Sequence, residues 1–402
     1  MTKTIKLGLK ENWQQFTVLV IVNAFVGGMV GLERTIFPKF AEIEFGVASK
    51  TAILSFITAF GITKALTNYF TGKLANRLGR KNLLLLGWVF AIPIPFILIY
   101  ATSWNWVVFA NVLLGINQGL TWSSTVVMKI DLVGEKDRGL AMGLNEFAGY
   151  FAVGLVAFLS GVIAERYGIT PFPFYLGIVI SVVGFLITLF FIKDTRVFVN
   201  KETITSNVKK LDNVFLETTF KDKTLSTVTQ AGMVNNLNDG MIWGLLPIVL
   251  LSLNYNTQNI GIIVAIYPTV WGIGQLVTGK MSDIYSKKNM LFWGMCIQGI
   301  AILCIPISDS FLILSLISAT LGVGTALVYP TFLSVIAQET TPNQRAESIG
   351  VFRFWRDLGY AFGALSSGII ADIYGVAYAI YFIGLITIVS SIIIKVRLPK
   401  NT

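Results

Sequence analysis

Histidine is absent from the 402 residues. That removes the commonest metal ligand and the side chain that ordinarily carries a proton near neutral pH. Any proton chemistry then falls to carboxylates. Cysteine is nearly absent too. Cys296 and Cys304 share one apolar block and read as small buried side chains, not as a disulfide or metal pair. No Gly-x-Ser-x-Gly elbow, Walker loop or metal-ligand cluster occurs, so neither a common hydrolase nor direct use of ATP is indicated. No enzyme activity, metal or cofactor is expected. Charge is also scarce, at 13% of residues against roughly 25% in a soluble domain. That is too little to solvate a globule of this length.

What is present is apolar: 54% of residues, with a mean hydropathy of +0.71. It falls into twelve blocks, roughly 14–37, 51–72, 83–101, 106–128, 139–164 and 173–192, then 228–252, 259–279, 290–308, 311–337, 347–371 and 377–395. A helix of about 20 residues crosses a hydrocarbon core of about 30 Å. The blocks therefore predict an all-α membrane protein with twelve spans. The first is too long for a cleaved signal peptide, and no small-residue cleavage site follows it. Of the 31 Lys and Arg residues, 24 fall in the termini and even-numbered loops, and only Lys39, Lys50 and Arg166 in the odd-numbered ones. That asymmetry predicts both termini in the cytoplasm of a cell (inner) membrane. The net charge of +10 then reports topology and anionic lipid, not nucleic acid. One long polar stretch, 193–227, predicts a cytoplasmic linker between six-helix bundles at 1–192 and 228–402.

The two halves repeat. A shift of 207 residues carries Gly72-Lys-Leu-Ala-Asn-Arg-Leu-Gly-Arg-Lys81 onto Gly279-Lys-Met-Ser-Asp-Ile-Tyr-Ser-Lys-Lys288. The same shift carries Ser160–Gly168 onto Ser367–Gly375, Gly115 onto Gly322 and Arg138 onto Arg345. Parallel repeats related by an axis along the membrane normal mark one large transporter architecture. Along its whole length the chain resembles the major facilitator superfamily, and the loop at 72–81 resembles that family's signature between its second and third helices. The resemblance implies two pseudo-symmetric six-helix bundles that work by alternating access. It implies a gating role for Gly72, Asn76, Arg77, Gly79, Arg80 and Lys81, echoed by Gly279 and Asp283, with the loop held against helix eleven. Asn76 stands where the family has aspartate. Asn111 and Val156-Ala157 stand where drug–proton antiporters of the family carry an arginine and a Gly-Pro pair, so the multidrug subgroup is not matched at those positions.

Eight charges lie inside the predicted spans: Glu33, Arg34, Lys64, Glu146, Asp239, Arg353, Arg356 and Asp357. Each costs on the order of 2.5–3.5 kcal/mol at the bilayer centre, so they must face the protein interior or water, and most must pair. Arg353 and Asp357 are spaced to pair along one helix face, with Arg356 pointing elsewhere. Glu33 and Arg34, near the outer end of the first span, are expected at a solvated mouth. Glu146 takes the place of Arg353 in the repeat, and reads equally as a structural partner for the basic residues of the fourth loop and as the second candidate proton carrier. Asp239, near mid-depth, is the expected proton carrier, loaded and released as water or Lys64 is alternately brought near it. Asn117, Gln118 and Trp122 on helix four, Asn235 and Asn238 on helix seven, and Tyr329 on helix ten complete the candidate set. In the family, helices one, four, seven and ten line the cavity.

These features predict a monomeric secondary transporter of a small organic solute in the lipid bilayer. Proton coupling is expected, the arginines tilt the substrate towards an anionic group, and export is favoured by general resemblance. A facilitative uniporter for an organic anion, or a non-transporting receptor on the same scaffold, are the alternatives.

Overall fold

The computed structural model describes residues 7–133, 138–199 and 211–399, and among these there is no strand. Twelve long helices follow one another: α1 (Trp13–Arg34), α2 (Ser55–Leu78), α3 (Arg80–Ala91, carried on by Pro93–Ile99), α4 (Trp104–Val133), α5 (Arg138–Tyr167) and α6 (Phe172–Phe191). Then come α7 (Lys223–Ser252), α8 (Thr257–Ile284), α9 (Lys287–Cys304), α10 (Phe311–Glu339), α11 (Pro342–Tyr374) and α12 (Val376–Arg397). Side-chain caps set several of the starts. Asp222 accepts from the backbone N–H groups of Thr224 and Leu225 to open α7, and Asn256 accepts from that of Asn259 to open α8. Gly79, at φ 87°, makes the tight turn from α2 to α3.

Eight of these helices are long and apolar enough to cross a membrane by length and composition. The four outside that set are α2, α4, α7 and α11. They carry buried polar side chains, among them Lys64, Gln118, Asp239 and Asp357, which lower their hydropathy while facing protein rather than lipid. The outer surface is apolar, with large exposed side chains such as Val89 on α3, Phe190 on α6, Trp293 on α9 and Leu385 on α12. Those four helices turn much of their surface outward.

The first six helices form one bundle and the last six another. In the first, α5 packs on α1 and α2 on α4; in the second, α7 packs on α11 and α8 on α10. Two seams join the bundles, α2 with α11 and α5 with α8, and the repeat exchanges one seam for the other. The α5–α8 seam is close enough for backbones to touch. A Cβ on Gly154 would lie 2.9 Å from the Ala265 carbonyl oxygen, and one on Gly143 would lie 3.1 Å from that of Gln275. In the segment between the bundles, Val214–Leu216 and the turn Glu217–Lys221 pack on α11, where Trp355 Nε1 donates to Thr219 Oγ1 at 3.1 Å. The membrane face holding the start of α1 and the end of α12 is called here the terminal face, and its opposite the far face.

Candidate substrate and coupling site

Five of the eight interior charges, Arg34, Lys64, Arg353, Arg356 and Asp357, form one column between the bundles. At its far-face end, Arg34 of α1 lies over the Trp243 ring of α7, with Cζ 3.8 Å from the ring centroid. Trp243 stacks on Tyr360 of α11 at 5.0 Å. Lys64 of α2 sits 5.1 Å over the Tyr360 ring and 3.6 Å from Asp357 Oδ1. The same Asp357 oxygen contacts Arg356 Nη1 at 3.4 Å, and Arg356 covers the Tyr329 ring of α10 at 4.3 Å. Arg356 Nη2 reaches the Tyr150 hydroxyl of α5 at 3.3 Å.

Asp357 is the hub. Asn68 Nδ2 donates to its Oδ2, and Asn236 Nδ2 donates to its Oδ1 at 3.3 Å. Ser123 of α4 donates to Asn68 Oδ1 at 2.5 Å and accepts from Arg353 Nη1 at 3.0 Å. Three helices of one bundle and two of the other are thus tied to one carboxylate. The cavity among Lys64, Trp122, Tyr150, Tyr329, Arg356 and Asp357 holds only about 10 Å³. That is room for about one water, so this conformation closes the centre to a solute.

A second network lies within the first bundle. Trp122 Nε1 and Asn145 Nδ2 both donate to Glu146 Oε1, at 3.1 and 2.8 Å, and Lys129 Nζ donates to Asn145 Oδ1 at 2.5 Å. Trp122 also packs against Tyr150, ring centroids 5.1 Å apart. In the second bundle, Tyr267 of α8 donates to Asp239 Oδ1 and lies 3.2 Å from Thr325 Oγ1.

Several expectations change. Arg353 does not take Asp357 as its partner along α11; it turns to Ser123 across the interface, while Arg356, one residue from Asp357, makes the contact. Glu33 and Arg34 are not at a solvated mouth: both are buried, and Arg34 Nη1 lies 3.5 Å from Glu33 Oε1. Lys64 is engaged with Asp357 rather than with Asp239. Asn117 donates to the Gly87 carbonyl on α3, and Asn238 donates to Gln298 on α9 and accepts from Thr387 on α12. Both therefore face away from the column. Gln118 donates to the Val26 carbonyl of α1, and Asn235 donates to its neighbour Asn236, at 3.4 Å.

In the loop from α2 to α3, Arg80 pairs with Asp131 of α4 at 3.0 Å, so this arginine holds its own bundle rather than α11. The Lys81 backbone N–H donates to Asp194 at 3.2 Å. Gly279 is buried within α8. The side-chain positions of Gly72, Asn76, Arg77 and Asp283 lie outside the described residues.

Sequence reasoning missed Lys129, counted as a loop charge but 1% exposed inside α4. It also missed Asn68, Tyr150, Trp243, Tyr267 and Tyr360. Two of these carried a signal: Asn68 stands one helical turn after Lys64, and the shift of 207 carries Tyr150 onto Asp357.

The sequence profile of the Major Facilitator Superfamily matches residues 17–225 and 228–402. The chain belongs to the Major Facilitator Superfamily. Its relatives in the superfamily include the multidrug resistance protein MdtG of Proteus mirabilis, 23% identical over 383 residues that cover 92% of this chain and 93% of the relative. Another is the proton-coupled antiporter flippase LtaA of Staphylococcus haemolyticus, 25% identical over 406 residues, covering 98% and 96% of the two chains. Among solved structures, the human organic anion transporter MFSD10 (TETRAN) superposes with a TM-score of 0.75 at 14% identity, over 95% of this chain and 99% of that one. That likeness carries the fold. Superfamily membership makes this a multi-pass membrane transporter, with the charge column at the interface its two bundles share.

Proposed function

We propose that this transporter exports a small organic solute bearing an anionic group, by alternating access and in exchange for protons. Arg34 carries the reading. It is buried, yet its Nε, Nη1 and Nη2 make no hydrogen bond among the described residues. Buried polar groups in native proteins are nearly always paired, and an exception calls for a role. A planar guanidinium presents its donors in a fork that matches carboxylate or phosphate oxygens two at a time. Arg353 Nη2 and Arg356 Nε are also without hydrogen bonds, so further donors stand along the column. The organic-anion description of the human neighbour agrees in kind, and the multidrug and antiporter descriptions of the relatives favour export.

Proton exchange is supported by buried carboxylate oxygens without hydrogen bonds, Asp239 Oδ2 and Glu146 Oε2. A facilitative uniporter for the same anion is the alternative reading. The Tyr267 hydrogen bond favours it, because that bond fixes Asp239 in place. The bundles at 1–192 and 228–402 would rock as units joined by 193–227. The chain would work as a monomer in the inner membrane, with its terminal face to the cytoplasm. Reporter fusions at residues 210 and 402 test that orientation, and an outside signal from either rejects it.

Ligand screening by thermal shift tests the substrate class. Small carboxylates and phosphate esters should raise the melting temperature of the purified protein, and quaternary ammonium compounds of matched size should not. Arg34→Gln should abolish the anion shift and Arg34→Lys should retain part of it. Stabilisation by the cations alone, or an undiminished anion shift in Arg34→Gln, overturns the anionic reading.

A further inference from the structure

The far face carries a repeated contact that the charge column does not involve. At the far end of α11, Asp372 accepts three hydrogen bonds from the other bundle. They come from Ser49 Oγ at 2.7 Å, the Lys50 backbone N–H at 2.6 Å and the Thr51 backbone N–H at 2.9 Å. Ser49 is itself the cap of the turn Lys50–Ile53 that leads into α2. On the other seam, at the far end of α5, Glu165 Oε2 accepts from the Thr257 backbone N–H at 2.9 Å. Thr257 is the first residue of α8, and Asn256 is that helix's cap.

The shift of 207 carries Glu165 onto Asp372, Lys50 onto Thr257 and Ser49 onto Asn256. Carboxylate, donor N–H and capping residue thus all recur, with only their side chains exchanged between types. The supporting glycines recur as well. A Cβ on Gly368 would lie 2.6 Å from Thr51 Cα, and a Cβ on its equivalent Gly161 would lie 3.0 Å from the Thr257 carbonyl oxygen. Each glycine lets the backbones meet where the carboxylate, one helical turn further along, reaches across.

We propose that Asp372 and Glu165 are a pair of symmetry-related latches that hold the far face closed, each capping across a seam the chain that opens the opposing bundle's helix. A carboxylate accepting backbone N–H groups at a helix start forms charge-assisted bonds that also meet the favourable end of the helix dipole. Both carboxylates are exposed at the rim, so such a bond can break without unpacking either core, and the contact of Lys39 Nζ with Thr257 Oγ1, at 2.7 Å, parts with it. The far face opens when both are released. The inference rests on the alternating-access reading above, and it adds what holds one of the two gates shut.

Distances between the bundles test it. Cysteines at Tyr100 and Ile307, exposed at the far ends of α3 and α9, take spin labels in a full chain with Cys296 and Cys304 replaced by serine. A second labelled pair on the terminal face is measured in parallel. Asp372→Asn and Glu165→Gln should each raise the share of the longer far-face distance, by about fivefold in the open-to-closed ratio. The double variant should raise it by about the product of the two. A far-face distance unmoved in the double variant, or one that responds to only one of the two carboxylates, overturns the paired latch. The terminal-face label separates the underlying reading. If the far face widens while the terminal face stays fixed, the latch stands and alternating access fails. If the terminal face moves with pH or ligand while both variants leave the far face unchanged, alternating access stands and the latch fails.

Discussion

Lys64 and Trp271 hold equivalent places in the two bundles, yet one closes its seam with an ion and the other with a ring. Lys64 Nζ lies 3.6 Å from Asp357 across α2 and α11, while Trp271 stacks on Tyr150 across α8 and α5, centroids 3.5 Å apart. Asp357 and Tyr150 are themselves equivalent under the shift of 207. The repeat has kept the contact and changed its chemistry on one side only. Charge in the interface is therefore concentrated on the α2–α11 seam.

Breaking that ion pair one-sidedly should be costly. Removing one partner of a buried pair typically destabilises by ~3–5 kcal/mol where the other charge is left uncompensated, and by less here, because Arg356 still contacts Asp357 at 3.4 Å. Lys64→Met should lower the unfolding temperature in detergent, and Asp357→Asn added to it should restore part of the loss. If the double variant is no more stable than Lys64→Met alone, the pair is not an energetic unit.

Coupling is expected to run through Asp239. Asp239→Asn should abolish solute accumulation driven by a pH gradient in proteoliposomes while counterflow exchange persists, since exchange moves no net proton. Full gradient-driven accumulation in the variant removes Asp239 from the role. Glu146→Gln is then the variant to examine, and if it too accumulates solute fully, the uniporter reading takes over.

The far-face latch at Asp372 should be indifferent to physiological pH. Asp372 lies beyond the apolar stretch of α11. Burial pushes its carboxyl up, but hydrogen bonds from Thr51, Ser49 and Lys50 outweigh that and hold it at about 2, below the ordinary 3.8. A lowered carboxylate pKa stabilises the bonded state in full above about pH 4, and that stability is lost as pH falls through about 2. Far-face closure should thus stay constant between about pH 5 and pH 8 in a variant whose proton carrier has been neutralised. A far-face distance that titrates in that interval in Asp239→Asn, and ceases to in Asp239→Asn/Asp372→Asn, would show the carboxyl to be far less depressed than its bonds imply.

The spans, the repeat and all but one of the charges buried deep in the spans were legible in the sequence, because each depends on composition over many residues or on a fixed shift. Partner choice was not. Spacing along α11 put Arg353 beside Asp357, but a long guanidinium reaches past its own helix, and Arg353 donates to Ser123 across the interface. Lys129 escaped notice because an apolar block has no sharp end: α4 runs on to Val133, and the charge that seemed to mark its exit lies inside. Polar residues on cavity-lining helices also divide by face. Asn117 and Asn238 stand next to candidate site residues in sequence, yet each bonds a neighbouring helix of its own bundle.

The glycines along α5 bear on how such a molecule can move at all. At Gly143 and Gly154 the α5 and α8 backbones stand within contact of what one added methyl group would occupy. Helices meshed by bulky side chains shift only by lifting a ridge out of one groove and dropping it into the next. Where glycines bring backbones together there are no ridges to lift, at Gly143 and Gly154 on one seam and on the other at Gly61, whose Cβ would lie 2.7 Å from the Ala361 backbone nitrogen. At those points each seam can roll, as a journal turns in a bearing, while the stacked rings of one and the ion pair of the other do the engaging and releasing.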